Sequence, residues 1–88
     1  MTYNGWTNYE TWCVNLWLTN EPESDAEARR TAHTIKHGNW PERRLRDMVE
    51  ELYDLSQSGL AGDLIGSALG EVNWGEIVEA LTEGDDEA

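Results

Sequence analysis

The sequence predicts an all-α protein: one small domain built as a bundle of four to five helices with a Trp-rich core. Helix-capping residues recur along the chain, apolar residues recur at helical spacing, and few segments alternate in the way typical of strands. With 88 residues, the chain is expected to form one domain with little room for a deep internal site. Five Trp and no Phe indicate that indole rings fill much of the core.

The first helix is predicted by Thr7 followed by Glu10, a capping pair that opens a helix of about residues 8–18. A turn at residues 3–6 precedes it, and whether those residues form a short strand is open. The apolar side chains of the helix spread over a wider arc than the stripe of an ordinary surface helix. We therefore expect it to be the central, most buried helix. The arc consists of Tyr9, Trp12, Cys13, Leu16 and Trp17, widened by Val14 and Leu18.

A second helix of about residues 25–37 is predicted by Ser24 followed by Glu27, with Gly38 as a left-handed stop. Its apolar side is small, so we expect this helix to pack lightly. Its opposite side is expected to be a basic face, made by Arg29, Arg30, His33, Lys36 and His37.

The third and fifth helices are predicted to be amphipathic, each with an acidic outer stripe. Pro41 suits the first turn of a helix that runs to about Ser56, and Asn73 followed by Glu76 opens a last helix to about Glu83. The domain is expected to span residues 1–84, followed by an acidic disordered tail at residues 85–88. The stripe of the third helix is Asp47, Glu50, Glu51 and Asp54, and the stripe of the fifth is Glu76, Glu79 and Glu83.

The fourth helix, about residues 61–72, repeats a glycine at every fourth position: Gly62, Gly66 and Gly70. Each interior glycine costs a helix about 0.5–1 kcal/mol relative to Ala. We therefore expect this stripe to be a close-packing surface, either within the fold or across a homodimer.

The net charge lies entirely in the second half of the chain. Residues 1–46 hold all six basic residues and six acids, whereas residues 47–88 hold twelve acids and no Lys or Arg, which gives −12. Such a charge repels nucleic acid and attracts cationic protein surfaces. If the two stripes lie side by side, their charge density approaches that of duplex DNA, which carries one charge per about 1.7 Å of axis. We expect them to bind the basic, nucleic-acid-binding surface of a partner protein, with no direct binding of nucleic acid or membrane.

Three alternatives to this interpretation remain open. The stripes can be ordinary solvated faces that keep the protein in solution, or they can reflect adaptation to high salt. They can also pair with the basic residues of the same chain or of a second copy. Such pairing would leave a dipolar molecule that repels nucleic acid less.

The sequence gives little indication of catalytic or metal chemistry. His33 and His37 have the spacing at which two imidazoles share a metal, but no third ligand follows from a motif, so two solvent-facing histidines are the preferred interpretation. Cys13 lies in an apolar arc, where a thiol stays protonated, so we expect it to pack rather than to react. Since no phosphate-binding loop or nucleophile motif is present, we expect no enzyme activity, no cofactor and no metal.

Cellular location is predicted from two further observations. A single Cys and an N-terminus without a secretion signal indicate a cytoplasmic protein. No apolar run approaches the roughly 20 residues that a membrane span needs, so the protein is expected to be soluble.

The first fifth of the chain resembles the opening of a family of small uncharacterised proteins carried by phages, plasmids and other mobile elements. Their recurring core reads Asn-Tyr-(Glu or Ala)-Thr-Trp-Asn-Val-Ala-Leu-Trp. This chain follows that core from Asn8 to Trp17, with Cys13 and Asn15 in place of the usual Asn and Ala. The resemblance implies a genomic setting rather than a mechanism.

By analogy, small acidic proteins of such elements often block host defence by occupying the DNA-binding surface of a restriction enzyme or a CRISPR effector. We therefore expect an anti-defence protein of the anti-CRISPR or antirestriction type that acts as a DNA mimic. The alternative is a helical adaptor or oligomerisation module of a mobile element, in which the acids serve solubility.

Overall fold

A computed structural model describes residues 2–85 of the protein. This part of the chain forms five α-helices: α1 (Tyr9–Asn20), α2 (Pro22–Gly38), α3 (Arg43–Leu52), α4 (Gly59–Gly70) and α5 (Trp74–Leu81). The prediction of a small all-α domain is confirmed. None of the helices formed by residues 2–85 combines the length and apolarity needed to cross a bilayer.

Helix α2 is the central element of the fold and packs against α1, α3 and α5. The expectation that it packs lightly is wrong, because Ala28 and Ala32 are fully buried and Ile35 nearly so. An alanine projects only a methyl group, so neighbouring helices approach α2 closely along this side. The other members of this core cluster are Leu18, Leu45, Val49, Val72, Ile77, Val78 and Leu81.

The core is therefore aliphatic, and the predicted Trp-rich core is wrong. Trp6 and Trp74 pack against the core while only partly buried, and Trp12 is also partly buried. Trp17 and Trp40 are 59% and 44% exposed. The buried positions of the core cluster are held by Ala, Val, Leu and Ile, which fill the space between the helices without an indole ring.

Helix α1 is rotated relative to the prediction. Its buried residues are Thr11 and Leu18, so Leu18 is the one member of the predicted arc that is buried. The aromatic members of the arc lie on the other side of the helix, so α1 is a peripheral helix rather than the most buried one. Thr11 is accommodated in the interior because its hydroxyl is fully used. The hydroxyl donates to Asn8 Oδ1 at 2.6 Å and accepts from the Asn73 N–H at 2.9 Å. These bonds tie the start of α1 to the start of α5.

Asparagines cap the starts of these two helices. Asn8, and not the predicted Thr7, caps α1, and its side chain accepts from the Thr11 N–H at 2.9 Å. Asn73 caps α5 as predicted, and its side chain accepts from the Glu76 N–H at 3.1 Å. Each cap satisfies a backbone donor that the helix itself leaves unpaired.

Helix α2 begins earlier than predicted. It starts at Pro22, whose fixed φ suits the first turn of a helix. Ser24 is therefore inside the helix rather than its cap, and its hydroxyl donates to the Leu18 carbonyl at 2.8 Å. At the other end, the left-handed residue is Asn39, with φ 62°, and not Gly38.

The turn expected at residues 3–6 is present. Tyr3 and Trp6 exchange two backbone hydrogen bonds of 2.8 Å and form one isolated bridge rather than a strand. Asn4 and Gly5 both have positive φ, 49° and 88°, as in the tight hairpin turns that an Asn-Gly pair favours.

The glycine stripe of α4 is close-packed at one position only. A Cβ added at Gly62 would collide with the backbone carbonyl of Gln57, so glycine is required there. A Cβ at Gly66 or Gly70 would meet nothing within 4 Å. Packing within the described fold therefore accounts for Gly62, and the dimer alternative remains a prediction for the other two.

Thr11→Val should destabilise the fold by about 1–3 kcal/mol, because it leaves the Asn73 N–H without its partner while keeping the side-chain volume. Thr19→Val is the matched control: Thr19 is exposed on the same helix, and its hydroxyl donates to the Asn15 carbonyl. We expect the control to shift the unfolding free energy by less than about 0.5 kcal/mol. Urea unfolding of both variants tests this, and equal midpoints would contradict the role given to Thr11.

Candidate functional site

The acids of the third helix surround one open concavity. Asp47, Glu50, Glu51 and Asp54, together with Ser56, line a hollow of about 460 Å³. Leu45 and Val49 fill the opposite, buried side of α3. The amphipathic pattern thus places the first predicted stripe together on the solvent side, and we call these four carboxylates the α3 acidic cluster.

The end of α3 fixes the position of Asp54. The helix ends at Leu52, four residues before the predicted end. The Leu55 N–H donates to the Glu50 carbonyl at 2.8 Å and the Asp54 N–H donates to the Glu51 carbonyl at 3.4 Å. This is the Schellman pattern, in which the residue after the cap takes a left-handed conformation. Asp54 occupies that position with φ 55°, where glycine is usual.

The α3 acidic cluster opposes the local electrostatics of its helix. Glu50, Glu51 and Asp54 lie at the C-terminal end, where the helix dipole is negative and favours cations. The last turn of α3 carries no basic residue, and Arg46 reaches Glu50 at 3.6 Å from one turn earlier. Such conflicts between sequence and local structure are typical of residues kept for function.

Exposed apolar side chains border the α3 acidic cluster. Trp17 and Leu52, 59% and 40% exposed, share the lining of a hollow of about 190 Å³ with Glu21 and Glu23. Leu52 also lines a neighbouring hollow with Glu51, and so connects the indole to the acids. We call Trp17, Leu52 and the α3 acidic cluster together the α3 surface.

Trp17 also borders an apolar hollow. That hollow has a volume of about 300 Å³, and the Tyr53 hydroxyl nearby donates to the Trp17 carbonyl at 3.2 Å. This bond holds the end of α3 against α1. The residues that line the hollow are Cys13, Val14, Trp17, Val49, Tyr53 and Leu55.

The second predicted stripe is divided between the fold and solvent. Glu76 Oε1 accepts from the Thr7 N–H at 3.0 Å, and Glu79 pairs with Lys36 at 3.5 Å. Glu83 follows the end of α5 and is exposed. These three acids do not line the concavity of α3. Pairing of acids with the chain's own basic residues, one of the alternatives above, is therefore present at Glu79.

The remaining basic side chains include two with defined neighbours. Arg29 pairs with Asp25 at 3.0 Å, and Arg44 lies 4.6 Å from the centre of the Trp40 ring. Arg29 also reaches the Leu81 carbonyl at 3.4 Å, which links α2 to the end of α5.

Cys13 lies beside a phenol that cannot activate it. A side-chain hydrogen bond with Cys13 is the main cause that raises the pKa of Tyr9 above its ordinary value of 10.0. The phenol therefore stays protonated at neutral pH and does not act as a base toward the thiol.

A second cluster of polar side chains lies between α2 and the segment that follows α5. His33 Nδ1 is 2.9 Å from Asp85 Oδ2, and His37 Nε2 is 3.7 Å from the same oxygen. Asp85 is the first residue of the predicted tail, and residues 86–88 of that tail lie outside the described residues. The sequence offers no motif that brings Asp85 to α2, because the contact spans 52 residues.

Residues 1–87 match the sequence model of DUF7249, a family of unknown function. The chain belongs to this family. Comparison with curated proteins and with solved structures gives no match. The family description assigns no activity.

Asp54→Asn should stabilise the protein by about 0.3–1 kcal/mol, because it removes a charge from the negative end of α3 while Asn tolerates the left-handed conformation. The gain should shrink in 1 M salt, where the Debye length is about 3 Å. Asp63→Asn, an exposed change within α4 and away from the helix ends, serves as the control. Urea unfolding at low and high salt measures both variants, and a loss of stability in Asp54→Asn would contradict the conflict described above.

Proposed function

We propose that this protein is a non-enzymatic anti-defence protein of the anti-CRISPR or antirestriction type. In this proposal the α3 surface occupies a basic, nucleic-acid-binding surface of a host defence protein and blocks its access to DNA. The observation that carries the proposal is the α3 acidic cluster: four carboxylates around one open concavity, linked through Leu52 to the exposed indole of Trp17.

Charge supplies the first element of recognition. A concentrated negative surface accelerates encounter with a positive groove, and once bound it repels the DNA that competes for the same groove. The chain as a whole carries −12, which adds a long-range field of the same sign. Complementary charge chiefly raises the association rate and excludes wrong partners.

Apolar contact supplies the second element. Trp is enriched at the energetic centres of protein interfaces because it buries a large rigid ring. Leu52 lines a hollow with Glu51 and a second hollow with Trp17, so a partner groove with an apolar pocket near its basic residues suits the α3 surface. The acids of α5 are assigned a smaller part, since Glu76 and Glu79 already serve internal contacts.

The genomic setting is the third element. The resemblance of the N-terminal motif to proteins of phages and mobile elements favours an anti-defence role over a housekeeping one. We propose that the encounter takes place in the cytoplasm, where restriction and CRISPR complexes meet foreign DNA.

Phage plating on hosts that carry restriction or CRISPR systems tests the proposal. The test variant combines Asp47→Asn, Glu51→Gln and Asp54→Asn, which removes three charges and leaves the Glu50–Arg46 pair in place. The matched control combines Asp63→Asn, Glu71→Gln and Glu83→Gln, which removes three exposed charges elsewhere and leaves the Glu79–Lys36 pair in place. The parent and the control should restore plating on at least one such host, and the test variant should not.

Purified proteins then separate binding from folding. The test variant should be folded and should lose at least about tenfold in affinity for the captured defence protein, mainly through a slower association rate. Equal protection by both triple variants would show that the binding surface lies outside α3. Absence of protection by the parent on every host would favour the second candidate function below.

Trp17→Ala should weaken partner binding by about thirtyfold, the loss typical of a central interface residue. Because the side chain is largely exposed, the unfolding free energy should fall by less than about 1 kcal/mol. Tyr9→Ala removes another exposed aromatic side chain of α1, 51% exposed and outside the α3 surface, and is the control, for which we expect unchanged binding. Calorimetry of binding and urea unfolding give the two readouts; equal losses in the two variants would contradict the place of Trp17 in the interface.

A homo-oligomerisation module is the second candidate, and the exposed apolar side of α4 favours it. Leu60 and Leu64 lie one turn apart and are 75% and 62% exposed. Gly66 and Gly70 leave open backbone on the same helix, where a second helix has room to approach. Under this alternative the parent is a dimer by light scattering, and Leu60→Lys combined with Leu64→Lys makes it a monomer. A monomeric parent at working concentrations rejects the alternative.

A further inference from the structure

We propose that His33, His37 and Asp85 form a binding site for a divalent transition-metal ion, with Zn²⁺ as the best fit. The inference does not depend on the proposed anti-defence function, because these residues lie on α2 and after α5 and take no part in the α3 surface. The ligand atoms of the three side chains all lie within 4.8 Å of one another.

The two histidines are held by a rigid element. They are one helical turn apart on α2, so their rings lie on one face, with centroids 4.5 Å apart. The opposite side of α2 is packed in the core, which fixes the two Cα positions relative to each other. A pair of imidazoles at this spacing on a helix is a recurrent half of zinc sites.

The third ligand is positioned by the end of α5. The Asp85 N–H donates to the Thr82 carbonyl at 3.0 Å, and the buried Thr82 hydroxyl donates to the Val78 carbonyl at 2.7 Å. Gly84, with φ 95°, makes the turn between them in a conformation that other residues rarely adopt. The backbone therefore brings the Asp85 carboxylate back onto the histidine face of α2.

The distances fit a tetrahedral ion after small side-chain rotations. Bonds of about 2.0–2.2 Å to zinc place the ligand atoms of a tetrahedral site about 3.3 Å apart. The two observed separations from Asp85 Oδ2, 2.9 Å to His33 and 3.7 Å to His37, lie on either side of that value. All three residues are exposed, so their side chains have space to adjust.

The donor set indicates which metals are bound. Two imidazoles and one carboxylate suit Zn²⁺, Cu²⁺ or Ni²⁺, whereas Mg²⁺ and Ca²⁺ prefer oxygen ligands alone. Three protein ligands leave a fourth position for water or for a donor from another molecule. Bound metal would also tie the segment after α5 to α2, and so stabilise the native state.

Titration of the tag-free protein with ZnCl₂ alone tests the site. We expect one Zn²⁺ per chain by calorimetry and a rise in the thermal midpoint that chelator reverses. His33→Ala, His37→Ala and Asp85→Asn should each weaken binding by at least about tenfold. Because the three side chains are exposed, the variants should fold, and their midpoints without metal provide the check.

Two controls test whether other side chains of the protein bind zinc. Cys13→Ser and the triple variant of the α3 acidic cluster should bind Zn²⁺ like the parent, and excess Mg²⁺ should not displace it. The chain contains only two histidines, so both imidazole resonances should shift on addition of Zn²⁺. No binding by the parent, equal binding by His33→Ala, or loss of binding in either control would overturn the proposal.

Discussion

The close approach of three helices to α2 is the constraint on which the rest of the structure depends. Ala28 and Ala32 make this approach possible because their buried side chains are small. The core cluster around α2 is aliphatic, the buried polar residues among those described are Thr11 and Thr82, and the indoles lie at the edge of the core or in solvent. The same packing turns the histidines of α2 outward and fixes the face that α3 presents. The core thereby determines which faces of α2 and α3 are exposed.

The sequence predicted four to five helices, the acidic outer face of α3 and the Asn73 cap, because these depend on local patterns. The orientation of α1 was not predictable in the same way. Its apolar residues cover more than half of its circumference, so periodicity does not show which side is buried. The deciding contact, between Thr11 and the Asn73 N–H, joins residues 62 positions apart. Because aromatic side chains are usually buried, the prediction placed the wrong side of α1 against the core.

In the candidate site, too, the features that depend on neighbouring residues were predictable, and the contacts between distant segments were not. The α3 acidic cluster was predictable because its members are neighbours along one helix and its end. The contacts of Glu76 with Thr7 and of Glu79 with Lys36 come from distant segments, and so does the position of Asp85 beside His33. A cluster that conflicts with its own helix dipole, beside an exposed Trp, suits a binding role better than a stabilising one.

Backbone and indole NMR spectra during titration with an arginine-rich peptide test the central claim most directly, since this probe works whatever the identity of the natural partner. If the α3 surface is the binding site for cationic partners, the perturbed signals should cluster at residues 47–56 and at the indole N–H of Trp17. The signals of α5 should change little. Perturbations centred on α5, or spread evenly over all acidic residues, would contradict the account.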